Sequence, residues 1–360
     1  GSFHIDIAPI IIVAFFTTLL VFGTKIGARV DGAMTVLKIA IVFFVVIVGF
    51  FYVKASNFTP FIPPSQPAST VEGSSAVTGV MTQPLWQFAT GMTPSVYGVP
   101  GILSGAALVF FAFIGFDVVA TASEETKNPH KNVPLGIGVG MLLIIVMYML
   151  VAVVTTGMVS YADLAKQDSP SLATAFELVG ADWAAKIISF GIVLGLATVV
   201  MVLLLGLTRI VFAMSRDGLL PRGLSKTGKH GTPAALQIVV GAVVALVAAF
   251  FDIGVLSDMV NIGTLSAFTL VAISIPIMRK KRPDLPRAFK MPGSPWIPIL
   301  IAVANFWLML NLSVLTWIRF VVWLVVGFAI YFGYGYWHAR LGKGDLTETL
   351  SAETDKAVNG

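Results

Sequence analysis

Residues 103–129 read "LSGAALVFFAFIGFDVVATASEETKNP". The first part of the stretch is apolar enough to lie in lipid. Gly115 and Asp117 nevertheless fall past the middle of that run, which ends in Glu124, Glu125 and an Asn-Pro pair. Glycine is a weak helix former, and an ionisable group at the bilayer centre costs about 2.5–3.5 kcal/mol on insertion scales. Two readings stand side by side. In one, Gly115 packs against a neighbouring helix, as small residues in membrane helices commonly do. In the other, the helix breaks there and turns backbone carbonyls toward a ligand, which is tolerated at membrane depth only where the freed groups line a cavity. Asp117 then satisfies freed amides or helps carry a proton.

The surrounding sequence places this stretch in a membrane. The 360-residue chain is 57% hydrophobic and 11% charged, with a mean hydropathy of +0.90; a soluble domain carries about 25% charged residues. The apolar residues come in helix-length blocks, at 7–23, 34–53, 101–121, 134–158, 183–214, 234–251, 258–278, 297–315 and 316–338. The expected fold is an all-α polytopic membrane protein of nine transmembrane helices. The block at 183–214 exceeds the roughly 20 residues a bilayer needs and is tilted or projects beyond it.

Charge sets the orientation. The basic segments "GTKIGAR", "TKNPHK", "TRIVFAMSRDGLLPRGLSKTGKHG", "RKKRPDLPRAFK" and "HARLGKGD" hold most of the 23 Lys and Arg. They share one side if the helices alternate, so the positive-inside rule puts the C-terminus in the cytoplasm. The formal charge of +5 then reports topology and implies no nucleic acid. Residues 59–100, rich in Pro, Ser, Thr and Gly, read as a long external loop, with "LWQF" resting on the membrane interface. The end reads as a polar tail. "GSFHIDIAP" has no initiating Met and follows no signal or transit sequence, as in a chain that begins within a longer protein.

Several chemistries are excluded or unsupported. With no cysteine there is no disulfide, thiol catalysis or Cys-based metal site. The four histidines lie in tails or polar loops without ligand spacing, so no metal and no cofactor are expected. Glu124 and Glu125 are sequence neighbours and point apart on a helix, which makes a poor hydrolytic pair.

Other residues inside the apolar blocks are costly or polar. Lys38 lies four residues into the second block; it snorkels to the headgroups or faces the bundle interior as a fixed or titratable cation. Gly191 and Gly195 form a small-xxx-small face in the fifth block. Thr198 and Met201 follow near it, and Met201 is core filler or the wall of a pocket. Asn261, Thr264 and Ser266 put hydrogen-bonding groups in the seventh block, a pattern that more often joins helices than binds ligands.

Four motifs in order carry a family likeness. "FFAFIGFDVVATASEETKNPHKNVPLGI" resembles the sixth helix and following loop of the amino acid–polyamine–organocation (APC) permeases, and within them the cationic amino acid transporter family. "NFTPF", "TRIVFAMSRDGLLP" and "DMVNIGTLSAFTLVA" match in sequence and spacing. The resemblance implies a five-plus-five inverted-repeat transporter of twelve helices, of which the nine blocks are helices four to twelve. Residues 1–58 would then hold the last two helices of the first repeat, 59–100 the external loop and 101–278 the second repeat. The basic inner loop and last two helices would occupy 279–340, and the tail 341–360. Three N-terminal helices, including the glycine-rich turn for a substrate carboxylate, would be missing partners.

The resemblance also assigns roles. The third helix would unwind around Phe111 to Gly115, and carbonyls of Phe111, Ala112 and Ile114 would face the ammonium of an amino acid. Phe113 and Phe116 would flank the site. Lys38, with Asp117, would serve proton coupling, Lys38 taking the place of a sodium ion, and Met201 would limit side-chain size. The function implied is a non-enzymatic, proton-coupled symporter of small neutral L-amino acids, with cationic ones second, in the cell membrane. An exchanger, a polyamine carrier and an amino acid sensor are the rival readings.

Overall fold

The computed structural model describes residues 7–22, 24–70, 79–116, 119, 126, 128–167, 170–225, 233–284, 291 and 293–339. Helices dominate. In chain order they are α1 (Ile7–Phe22), α2 (Thr24–Phe50), α3 (Leu85–Thr90) and α4 (Gly98–Val109), which passes into a 3-10 turn over Phe110–Phe113. Then follow α5 (Pro129–Met158), the short α6 (Tyr161–Ala165) and α7 (Leu172–Leu178), and α8 (Asp182–Arg216). The last are α9 (Ala234–Phe250), α10 (Ile253–Lys281), α11 (Trp296–Leu310) and α12 (Val314–Ile330), which runs through a π-type turn at Tyr331–Gly335.

Among the described residues, eight of the nine apolar blocks centre on single helices, while the third, 101–121, is α-helical only over its first half. Five helices among the described residues are long and apolar enough to cross a membrane, and four shorter ones are also apolar. Their outer faces carry large side chains such as Leu142, Val193, Leu270 and Leu300, all more than 60% exposed. Such surfaces suit lipid and would be unfavourable in water. Boundaries differ from the expected ones mainly at polar ends. α2 starts at Thr24 and not near 34, and α10 runs over 253–281 and not 258–278. The apolar run marks where lipid lies, while the helix continues as long as its backbone bonds do.

The chain forms two compact units. The first comprises Gly1–Gly32, Ala197–Phe251 and Val321–Gly360. Within it α1 packs on α9, and Val13, Phe16, Leu20, Met201, Leu204, Leu236 and Val240 form the core. Gly241 makes the close approach possible, since a Cβ there would overlap the Thr17 side chain.

The second unit comprises Ala33–Leu196 and Asp252–Phe320. One of its cores gathers Val45, Val154, Phe176, Ile188 and alanines 173, 175, 181, 184 and 185. The small side chains let helix backbones approach closely. A second core joins α4, α10 and α11 through Ala107, Ile262, Leu265, Met309 and Leu312.

The described part of the expected external loop has structure of its own. Gln66–Pro67 pairs antiparallel with Ser95–Val96, and α3 covers the "LWQF" motif. Trp86 Nε1 donates to Asn311 Oδ1 at 2.9 Å, and its ring stacks on Trp307. Leu85 N donates to Leu312 O (3.0 Å) and Val314 N to Gln83 O (3.1 Å). The loop is thereby tied to the α11–α12 turn, contacts between segments more than 200 residues apart that turn-residue composition does not reveal.

Candidate functional site

The helix that begins at Gly98 does not cross as one α-helix. After Val109 it tightens into the 3-10 turn Phe110–Phe113. Ile114 is extended, at φ −67° and ψ 139°, and Gly115 sits at φ +120°. That conformation is essentially restricted to glycine. A Cβ at Gly115 would meet nothing within 4 Å, so backbone geometry and not crowding sets the requirement.

A break inside an apolar block leaves carbonyls without their α-helical donors, and each must find another. Side chains of neighbouring helices take two of them. Tyr148 of α5 donates its hydroxyl to Ala112 O at 2.8 Å. Asn261 of α10, fully buried, donates Nδ2 to Leu108 O at 3.3 Å. Phe111 O accepts from Ile114 N at 3.2 Å within the turn itself. A carbonyl has two lone pairs, so each of these keeps acceptor capacity. The Asn261 Oδ1 is buried and has no hydrogen-bond partner among the described residues.

Aromatic rings brace the same segment. Phe113 lies edge-on to Tyr148 with centroids 5.1 Å apart, and Phe116 packs on Phe268 at 5.2 Å. Phe113, Phe116 and Phe268, with Phe110, Met141 and Ile145, line an apolar cavity of about 430 Å³. Neither Tyr148 nor Phe268 is evident as a site residue from the sequence. The one available signal is a lone hydroxyl in the run "MLLIIVMYMLVAVV".

The amino acid permease family profile matches residues 6–335. The chain is 41% identical over 95% of its length to the branched-chain amino acid permease BcaP of Bacillus subtilis, covering 67% of that protein. It is 38% identical over 92% of its length to the methylthioribose transporter of the same organism, covering 65%. The vacuolar cationic amino acid transporter 4 of Arabidopsis thaliana is 34% identical over 78% of this chain and 42% of its own length. This chain belongs to the amino acid permease family. It is a multi-pass membrane protein, and it spans about two thirds of the length of the two Bacillus relatives.

In this permease the remaining expected site residues fall in different places. Phe111, Ala112, Ile114 and Gly115 form the break, with Phe111 42% exposed and Ile114 and Gly115 half-buried. Asp117, with Glu124 and Glu125, lies outside the described residues. Lys38 is half-buried on α2, and its aliphatic stem faces Gly195 of α8. A Cβ on Gly195 would sit 3.7 Å from Lys38 Cγ, and one on Gly191 would overlap Ile41. The small-residue face therefore packs α2 and brings the lysine stem onto protein. Met201 is 4% exposed, in the core of the first unit. Ser266 bonds within its own helix, to Gly263 O at 2.7 Å.

Proposed function

We propose that this chain is the larger part of a cell-membrane permease that carries neutral L-amino acids by alternating access. In this reading its C-terminus is cytoplasmic, which the distribution of the basic segments supports. The observation that carries the reading is the break at Phe110–Gly115 inside an apolar helix. It exposes a short row of backbone acceptors, and a primary ammonium suits such a row because it brings three donors. Phe111 O and Ala112 O each already accept one bond, from Ile114 N and from Tyr148, and each keeps a second lone pair that, with Ile114 O, can receive the ammonium. The aromatic and apolar surroundings offer no carboxylate for a second cationic group among the described residues, which favours neutral substrates over arginine or lysine. The Bacillus relative named for branched-chain amino acids supports compact apolar side chains.

Coupling is to protons in this reading. Lys38, turned toward α8 on a helix otherwise suited to lipid, is the group that gains and loses the proton, with Asp117 as its second carrier. The three helices that the resemblance places before Gly1 complete the carboxylate half of the site, so the test uses the full-length protein. Purified protein in liposomes is given labelled L-valine, L-alanine and L-arginine, with and without an inward proton gradient. Stereoselective, gradient-stimulated uptake of valine or alanine is expected. Binding without flux would indicate a sensor, and gradient-independent counterflow an exchanger.

A further inference from the structure

The second unit holds a larger cavity that the break does not use. It measures about 660 Å³ and lies among helix ends on the loop-bearing side, a volume within the usual range of ligand pockets. Its walls are mostly apolar, with Phe58, Phe61, Ile102 and Leu312 among them. Leu108 reaches it from the last turn of α4. The cavity therefore ends about one helical turn from the unwound segment.

One carboxylate faces this space. Asp258, in the second turn of α10, lines the cavity and is half-buried. Fully buried Thr316 donates Oγ1 to its Oδ2 at 3.0 Å, and Ser313 Oγ lies 2.8 Å from that hydroxyl. This chain of hydroxyls fixes the carboxylate's orientation without neutralising it. Arg319 acts on it through charge, while no ion pair of Asp258 occurs among the described residues. A carboxylate in an apolar-walled, half-enclosed space is costly to hold charged, and Arg319 offsets that cost without making an ion pair with it, so a cation in direct contact would be favoured. Asn261 follows Asp258 by one turn, about 4.5 Å along the axis, and holds Leu108 at the edge of the break.

We propose that this cavity is a second, outer binding site for a small primary ammonium with an apolar body. Asp258 receives the substrate's ammonium there before it reaches the carbonyls of the broken helix. The order of events rests on the permease reading; the binding site itself does not.

The probe is isobutylammonium, the ammonium and side chain of valine without its carboxylate, with isobutanol as the uncharged control. Binding to detergent-solubilised full-length protein is measured by calorimetry, and inhibition of valine uptake in liposomes is measured separately. The expected result is saturable binding of isobutylammonium and none of isobutanol. Asp258→Asn weakens it at least tenfold, Asp258→Glu retains most of it, and Thr316→Val, which removes the anchor but not the charge, changes it less than threefold. Ser104→Phe, which fills the cavity from α4, abolishes binding and serves if the Asp258 variants fail to fold. Equal binding by wild type and Asp258→Asn, or a Thr316→Val effect as large as that of Asp258→Asn, overturns the proposal. Binding that behaves as expected in a protein without amino acid uptake would sink the permease reading and leave the site standing.

Discussion

α4 and α5 are successive membrane helices in the same compact unit, and they treat glycine in opposite ways. α5 contains Gly136, Gly138 and Gly140 within five residues, and Pro134 as well, yet it remains helical over Pro129–Met158. The helix starting at Gly98 breaks beside one glycine, Gly115. A Cβ at any of these glycines would meet nothing within 4 Å, so local crowding does not separate the two cases. The difference lies in what receives the freed carbonyls. Around the break, Tyr148 and Asn261 reach across from other helices to Ala112 and Leu108. Glycine makes a break permissible; polar side chains placed by other helices make it affordable in lipid.

The contrast is broken most directly by paired substitutions. Gly115→Ala forces an L side chain to φ +120°, a strain on the order of 1–3 kcal/mol. It is expected to lower valine uptake tenfold or more. Gly138→Ala, on the unbroken helix, is expected to leave uptake unchanged and to raise stability by roughly 0.5–1 kcal/mol. Equal effects of the two on liposome uptake and thermal unfolding would remove the distinction.

Lys38 extends the comparison to charge, another feature that membrane helices seldom carry without a compensating contact. Lys38→Met keeps the stem that lies against Gly195 and removes the ammonium. Folding should persist, while the part of uptake that depends on the proton gradient should disappear. Accumulation with unchanged dependence on external pH would return Lys38 to a snorkelling role.

Tyr148→Phe sharpens the account of the break. It keeps the edge-on ring contact with Phe113 and removes one hydrogen bond to a backbone carbonyl, worth about 1 kcal/mol. Uptake is expected to fall roughly fivefold, and the partial return of uptake with Tyr148→His would tie the loss to the donor. No change would mean that water serves Ala112 equally well.

Met201 breaks none of these rules, so its substitution should affect uptake least. Met201→Ala empties a buried position and should cost about 2–5 kcal/mol of stability, seen as a lower unfolding temperature with an unchanged substrate range. Uptake of longer side chains by this variant would instead make Met201 a pocket wall.

The sequence by itself determined the membrane class and the nine apolar blocks, and it left the third block open between a packed Gly115 and a broken helix. Burying a backbone in lipid leaves few options, and runs such as 234–251 announce themselves by composition alone. Gly115 marked a weak point without deciding whether the helix breaks there, and ordered motifs marked the family. The tertiary structure decided what composition left open. It turned Lys38 toward Gly195, placed Met201 in a core, tied residues 81–87 to the α11–α12 turn, and assigned Tyr148, Asn261 and Asp258 their partners. Each of those outcomes depends on which helix lies beside which. In a membrane that choice rests on close packing and a few polar contacts between distant segments, which a one-dimensional pattern of hydrophobicity does not encode.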